Sequence, residues 1–320
     1  MSVVVSRAGF FTTVQDLGRS GFRQHGVSLG GALDPHALRI GNVLVGNNPT
    51  AAGIETTLGR VRLRFDDQRV LAWCGGAVQV AVGAVSLPAG HVAVVSAGEE
   101  ISIAAPERGA RAWLAVSGGV DVPVVLGSRS TDLRAQFGGL DGRALRDGDV
   151  LPLGEPPRDV PRIDSTWGAP QEWAQTGTRG AILRITRGAE WERFTRSARA
   201  AFLKEQFTVT DEADRMGARL IGPKLERVDD EELISEAVAP GTIQVPPNGA
   251  PILLLGDCQT IGGYPKMAHV ITVDMPIAAQ LRPGDPVGFG EVSLGEARAL
   301  LRERERDVCW FRAGVALRLQ

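Results

Sequence analysis

Three short patterns each occur twice in this chain, in the same order. Gly118-Gly119-Val120-Asp121-Val122-Pro123 and Gly241-Thr242-Ile243-Gln244-Val245-Pro246 both read G-x-[VI]-x-V-P. Leu126-Gly127-Ser128-Arg129-Ser130-Thr131 and Leu255-Gly256-Asp257-Cys258-Gln259-Thr260 both read L-G-x-x-x-T. Leu145-Arg146-Asp147-Gly148-Asp149 and Leu281-Arg282-Pro283-Gly284-Asp285 both read L-R-x-G-D. One such match is chance; three in order specify a duplicated unit. A chain of 320 residues is long enough for two cores. Residues 152–170 hold five prolines and read as an extended linker. The expected organisation is a first domain over residues 1–153, a Pro-rich linker over 154–179 and a second domain over 180–320.

With 40 Gly, 19 Pro and only 5% aromatic residues, the composition suits short strands joined by tight turns better than a helical bundle. Short runs rich in Val, Ile and Leu, bounded by Gly, Pro or Asp, predict strands. They fall at Val61–Phe65, Val78–Val82, His91–Val95, Ile101–Ala104, Arg111–Val116, Ala181–Thr186, Ile252–Leu255 and His269–Val273. Three helices are predicted: Pro35–Val45, with Asp34 as N-cap and Gly46-Asn47 as the stop; Glu190–Glu205; and one opening at Ser293, where Glu296 completes a capping box. The expected fold is mostly β, barrels or sandwiches with a few short helices.

The formal net charge is −2, and basic residues form none of the clusters that neutralise phosphates, which argues against a nucleic-acid binder. No run approaches the roughly 20 apolar residues of a membrane span, and Arg7 interrupts the short apolar N-terminal run, so a cytoplasmic location is expected. Cys74, Cys258 and Cys309 are too widely spaced for a CxxC pair and are expected as free thiols. The four histidines show no metal-ligand spacing, so no metal is expected. No G-x-x-x-x-G-K-[ST] loop occurs.

The segment Asp257 to Lys266 follows an apolar strand with polar side chains and then glycines, a pattern suited to an anion or carbonyl site. Lys266 is one of three lysines among 35 basic residues, and the single tyrosine, Tyr264, is two positions away. The competing reading is a Gly-Gly turn followed by a solvated lysine. Asp34 reads equally as a catalytic acid or a helix cap, and Asn42 as a site group or a helix-end cap. Glu55 reads as an inward carboxylate or a rim residue. Arg129 reads as a carboxylate clamp or a surface ion pair. His25 and His269 read as structural, and His36 as exposed.

The chain resembles the KipA family, also called allophanate hydrolase subunit 2 or biotin-dependent carboxyltransferase-like proteins. The residues that carry the resemblance are Thr13-Val14-Gln15-Asp16-Leu17-Gly18-Arg19, Gly30-Gly31-Ala32-Leu33-Asp34, Asn42-Val43-Leu44-Val45-Gly46-Asn47 and Leu126 through Asp132. Gly241 through Pro247, and Gln259-Thr260-Ile261-Gly262-Gly263-Tyr264-Pro265-Lys266, complete it. Ser28-Leu29-Gly30-Gly31-Ala32 and Cys258 depart from what relatives often carry, Pro-x-Ser-Gly-Ala and Arg respectively. The resemblance implies two tandem cyclophilin-like β-barrel domains. The family includes the C subunit of the bacterial ATP-dependent 5-oxoprolinase. Likeness to that member implies a heteromer with two other chains, a KipI-like B subunit plus the A subunit. That assembly opens 5-oxoproline to glutamate with ATP as cosubstrate and without a bound prosthetic group in this chain. On this reading Lys266, Asp257, Tyr264 and Glu55 are the expected catalytic residues. Gln259, Thr260, Gly262, Gly263, Arg129, Asp34 and Asn42 are the expected substrate-binding residues. Two alternatives are the carboxyltransferase part of a urea carboxylase-like biotin enzyme and a non-enzymatic KipA-type antagonist of a histidine-kinase inhibitor. The first needs a biotinylated partner, because no Met-Lys-Met site occurs here.

Overall fold

A computed structural model describes residues 1–157, 168–176, 180–229 and 231–318. The chain clusters into two compact units. One comprises Met1–Arg19, Gly30–Gly177 and Arg306–Gln320, the other Ser20–Leu29 and Thr178–Glu305. Two segments are thus placed away from their neighbours in sequence, an exchange that no composition shift announces. Of the expected linker, residues 158–167 and 177–179 lie outside the described residues. Its remainder includes a short helix, Gln171–Ala174, whose neighbourhood packs into the first unit through the buried Ala169 and Ala174.

The first unit is a sandwich of two sheets. One runs in the order Val150–Pro152, Ser2–Arg7, Val61–Phe65, Glu100–Ile103, Val80–Val82, Val85–Leu87. The other runs Phe11–Gln15, Gly53–Thr57, Arg108–Val116, Arg69–Ala77, Val92–Val95. Their facing sides share one core that includes Val3, Leu63, Ile101, Ile54, Leu71 and Leu114. In Val61–Phe65 the apolar Val, Leu and Phe point into that core while both arginines point out, the alternation of a half-buried strand. Arg69–Ala77 shows no such alternation, because its other face is covered too. Ala37, Leu38, Ile40 and Leu44 of helix Pro35–Leu44 pack there with Val70, Ala72, Cys74 and Trp113. A strand buried on both sides loses the period-two signal, which is why pattern reading passes over it.

The second unit is a closed barrel. Its strands run Ala181–Arg187, Lys266–Val270, Thr242–Gln244, Ile252–Leu254, Gly217–Ile221, Phe207–Val209 and Pro286–Glu291, and the last pairs in parallel with the first. Phe202 of helix Arg196–Lys204 closes one flank, stacked on Phe289 with ring centroids 4.4 Å apart. The helix expected over Glu190–Glu205 is in fact a short 3-10 turn, Trp191–Arg193, and then Arg196–Lys204. Phe194 is extended between them, and Thr195 restarts the helix by capping the Ala198 amide at 3.1 Å. The strand expected at His269–Val273 lies three residues earlier, at Lys266–Val270. The last helix opens on the expected capping box: Ser293 N–H donates to Glu296 Oε2 at 2.7 Å and Glu296 N–H to Ser293 Oγ at 3.2 Å. It continues to Arg318, so the helices are not all short. Among the described residues no helix is long and apolar enough to cross a membrane.

The duplication is legible in the hydrogen bonds of each unit. In the first, Gly148 N–H donates to the Val5 carbonyl at 2.8 Å, and Val5 N–H donates to the Asp149 carbonyl at 2.8 Å. In the second, Gly284 N–H donates to the Val209 carbonyl at 2.9 Å and Val209 N–H to that of Asp285 at 3.0 Å. The carboxylates of Asp149 and Asp285 accept the Arg146 and Arg282 amides at 2.7 and 3.1 Å. Both turns need a left-handed residue, and both glycines supply it, with φ of 89° and 84°. The L-R-x-G-D pattern is therefore a turn frame that docks onto a strand, repeated once in each unit.

Candidate active site

The second unit gathers most of the expected site residues along one rim of its barrel. Strands Thr242–Gln244 and Lys266–Val270 pair with a shift of register: Gln244 faces Lys266, Ile243 faces Ala268 and Thr242 faces His269. Simple alternation would send Lys266 and His269, three positions apart, to opposite sides of the strand. The extra residue, Met267, forms a bulge that returns His269 to the side of Lys266. The result is a polar row of Lys266, His269, Thr242 and Gln244, itself largely buried, beside the buried apolar Ile243, Met267 and Ala268. His269 Nδ1 lies 3.2 Å from Thr242 Oγ1.

Lys266 is not the solvated lysine of the competing reading, since its side chain is only 9% exposed. Its Nζ lies 2.7 Å from Glu236 Oε2 and 3.5 Å from Glu190 Oε1. Glu190 is fixed independently, because its other oxygen accepts the Lys266 backbone N–H at 2.7 Å. Burial disfavours the ammonium, but the hydrogen bond to Glu236 and the charge of Glu190 outweigh it and hold the Lys266 pKa above its ordinary value. His269 moves the other way. Desolvation first, and the neighbouring Lys266 second, push it below the ordinary histidine value against the pull of Glu190. A fixed cation beside an imidazole held neutral at pH 7 is an arrangement able to bind an anion or polarise a carbonyl and to accept a proton next to it.

The loop from Asp257 to Pro265 is drawn onto this row. Gln259 Nε2 donates to Gln244 Oε1 at 3.2 Å, and Gln244 Nε2 donates to the Tyr264 carbonyl at 3.1 Å. A Cβ at Gly262 would stand 2.8 Å from Gln244 Nε2, so a side chain there would push the Gln244 amide from its place in the row. Gly263 lies under the edge strand Glu236–Ala237 and the residues before it, its virtual Cβ 3.2 Å from Ser235 Oγ. The Thr260 carbonyl accepts Val238 N–H at 3.1 Å, and the Tyr264 side chain is 47% exposed. Asp257 has a different partner. It accepts both Nε and Nη2 of the buried Arg215, at 2.8 and 3.0 Å, which pins the loop rather than offering a free carboxylate. Cys258 is buried, and loss of solvation raises its pKa despite Arg23 beside it, so it is no nucleophile in this state.

The remaining expected residues lie in the first unit. Asp34 caps helix Pro35–Leu44, accepting Ala37 N–H at 2.8 Å, and also accepts Thr176 Oγ1 at 3.2 Å. Buried Glu55 accepts Leu33 N–H at 2.8 Å. Asn42 donates to the Ala51 carbonyl and accepts from Asn47, which itself ties down Val116 and Gly118. Arg129 pairs with Asp121 at 2.7 Å on the surface. His36, expected to be exposed, is 6% exposed and packs edge-on against Trp173 at 5.5 Å. It sits on the face of the first helical turn that the Gln171–Ala174 segment covers. Among the described residues no cluster of His, Cys, Asp and Glu is arranged to hold a metal ion.

Sequence reasoning missed Glu190, Glu236, Thr242, Gln244 and His269 as members of the site. The i, i+2 spacing of Thr242 and Gln244 inside a repeated motif was an available signal. Glu190 and Glu236, 76 and 30 residues from Lys266, had none.

The family model for "Carboxyltransferase domain, subdomain A and B" matches residues 25–291. The chain is 41% identical over 302 residues to the C subunit of 5-oxoprolinase from Escherichia coli (strain K12), covering 94% of this chain and 95% of that one. It is 37% identical to the C subunit of 5-oxoprolinase from Haemophilus influenzae over 92% of both chains. Among solved structures it superposes on the K. lactis urea amidolyase with a TM-score of 0.89 at 29% identity, covering 96% of this chain but only 20% of that much longer one. This chain belongs to the carboxyltransferase domain family, subdomain A and B, in agreement with the carboxyltransferase-like resemblance of its motifs.

Proposed function

We propose that this chain is the C subunit of a heteromeric, ATP-dependent 5-oxoprolinase. It opens 5-oxoproline to glutamate together with two further chains, the A and B subunits, of which B is KipI-like. The observation that carries the reading is the 41% identity, over nearly the full length of both chains, to a protein named as the C subunit of 5-oxoprolinase. A five-membered lactam is resonance-stabilised, so opening it requires charge stabilisation at its polar groups and a placed proton acceptor. The Lys266 row offers both: Lys266 supplies positive charge, neutral His269 accepts a proton, and Gln259, Thr260, Tyr264 and the Gly262-Gly263 amides orient the ligand. Asp257 acts by pinning the loop through Arg215. Glu55, Asp34 and Asn42 act in the first unit by holding its backbone in place, and the partly exposed Arg129 is the group there that substrate or partner can reach. ATP is a cosubstrate of the assembly, and this chain has no Walker-type phosphate loop to hold it.

A second reading is favoured by the superposition on the urea amidolyase: carboxyl transfer to a urea-like amide, with a biotinylated partner supplying the carboxyl group. Co-expression with candidate A and B subunits and measurement of ATP-dependent glutamate release from 5-oxoproline separates the two. Release that depends on all three chains supports the first reading. Absence of release, with urea carboxylation in the presence of a biotin carboxylase partner, replaces it with the second.

A further inference from the structure

The two carboxylates that hold Lys266 are not equivalent. Glu190 belongs to the turn after strand Ala181–Arg187. It is 12% exposed and uses its second oxygen on the Lys266 amide. Glu236 is 63% exposed and stands on a two-residue edge strand that, among the described residues, pairs Glu236 with Gly262 and Ala237 with Ile261. The residues leading into that edge are exposed as well, Ile234 by 88%. Removing Glu190 would strip a buried ammonium of its fixed partner, a costly step. Moving Glu236 aside returns a carboxylate to water, where the exposed half of an ion pair loses little. One carboxylate of the pair is thus structural and the other is exchangeable.

Exchange preserves charge only if the incoming group is itself an anion. We propose that the Glu236 carboxylate occupies the place of a substrate carboxylate: Lys266 binds the carboxylate of the lactam, and the Leu233–Ala237 edge swings aside when it does. This deepens the lactam-opening reading and rests on it for the identity of the substrate. It makes Lys266 and Glu236 specificity-determining, since a neutral amide such as urea has no group with which to displace Glu236. The glycine pair fits this placement: a side chain at Gly262 would crowd Gln244 of the row, and one at Gly263 would crowd Ser235 of the edge.

The test is a binding titration of the full chain, alone and in complex with its partner chains. The ligands are 5-oxoproline and 2-pyrrolidinone, the same lactam without its carboxylate. Wild type is expected to prefer 5-oxoproline. Glu236→Gln is expected to tighten 5-oxoproline about two- to fivefold, the range set by removing an exposed ionic competitor, and to leave 2-pyrrolidinone unchanged. Lys266→Met is expected to erase the preference. Because Lys266 is buried and that variant can fail to fold, Glu236→Gln at its exposed position decides the matter alone. Wild-type protein without a preference for the carboxylate, or an unchanged 5-oxoproline affinity in Glu236→Gln, overturns the proposal. A preserved preference in an assembly that releases no glutamate sinks the hydrolase reading instead and leaves the carboxylate site standing.

Discussion

The two copies of the L-G-x-x-x-T loop put the same spelling to different uses. In the first unit, Ser128 and Ser130 donate their hydroxyls to Asp16 Oδ1 at 2.5 and 2.6 Å, and the Arg129 amide donates to Asp16 Oδ2 at 2.6 Å. That loop is a fastener, with a buried carboxylate saturated by hydrogen bonds. In the second unit, Asp257 is taken by Arg215, and Gln259 reaches across to Gln244 in the row of Lys266. That loop is a wall. Burial alone does not tell the two apart; what distinguishes them is whether every partner serves one buried carboxylate or one of them lies in the row of Lys266.

The comparison breaks most sharply at Lys266 and Asp16. Lys266→Ala is expected to lower kcat/KM of the folded fraction of the reconstituted assembly by roughly 10²–10³-fold, as for loss of a charge-stabilising group, and to lower the unfolding midpoint as well, because it leaves the buried Glu190 carboxylate without its cation. Asp16→Ala is expected to cost stability alone. It removes the acceptor of two hydroxyls and two backbone amides, those of Gly18 and Arg129, costs about 3 kcal/mol in urea unfolding, and leaves the activity of the folded fraction intact. A catalytic loss from Asp16→Ala without loss of stability would merge the two loops into one functional class.

A smaller effect tests whether the copies share a frame. Gly148→Ala and Gly284→Ala should each cost about 1 kcal/mol, by forcing a side chain into the left-handed region where both turns have open space around the glycine. Unequal costs would show that one turn is held by its surroundings rather than by the repeated frame.

The pH dependence is expected to be smaller still. His269 has a folded pKa below its ordinary value, so above about pH 6.5 it is neutral in both folded and unfolded chains and costs nothing. As pH falls below that, the unfolded chain takes up the proton first, and stability declines until the folded pKa is passed. His269→Gln should flatten that part of a plot of unfolding free energy against pH, and an unchanged slope would remove His269 from the desolvated row. The thiols set the lower limit of effect. Cys74 is buried, and desolvation drives its pKa far above the ordinary thiol value, while Cys309 is exposed. Native protein should therefore label once with a thiol reagent, at Cys309, and Cys309→Ser should abolish labelling without altering activity.

What the amino-acid sequence determined by itself are the features dictated within a few residues. The L-R-x-G-D frames follow from a glycine at positive φ and an aspartate reaching back three positions. The caps at Asp34 and Ser293 follow from side chains short enough to satisfy the first amides of a helix. The outward arginines of Val61–Phe65 follow from strand alternation. Only the tertiary structure decided the rest. The bulge at Met267 turned Lys266 and His269 to one side, closure of the barrel brought Glu190 and Glu236 to the same ammonium, and double coverage of Arg69–Ala77 erased its pattern. The reason is that a side chain's conformational preference is local, whereas the charge that faces it across a barrel is set by strands that meet only when the sheet closes.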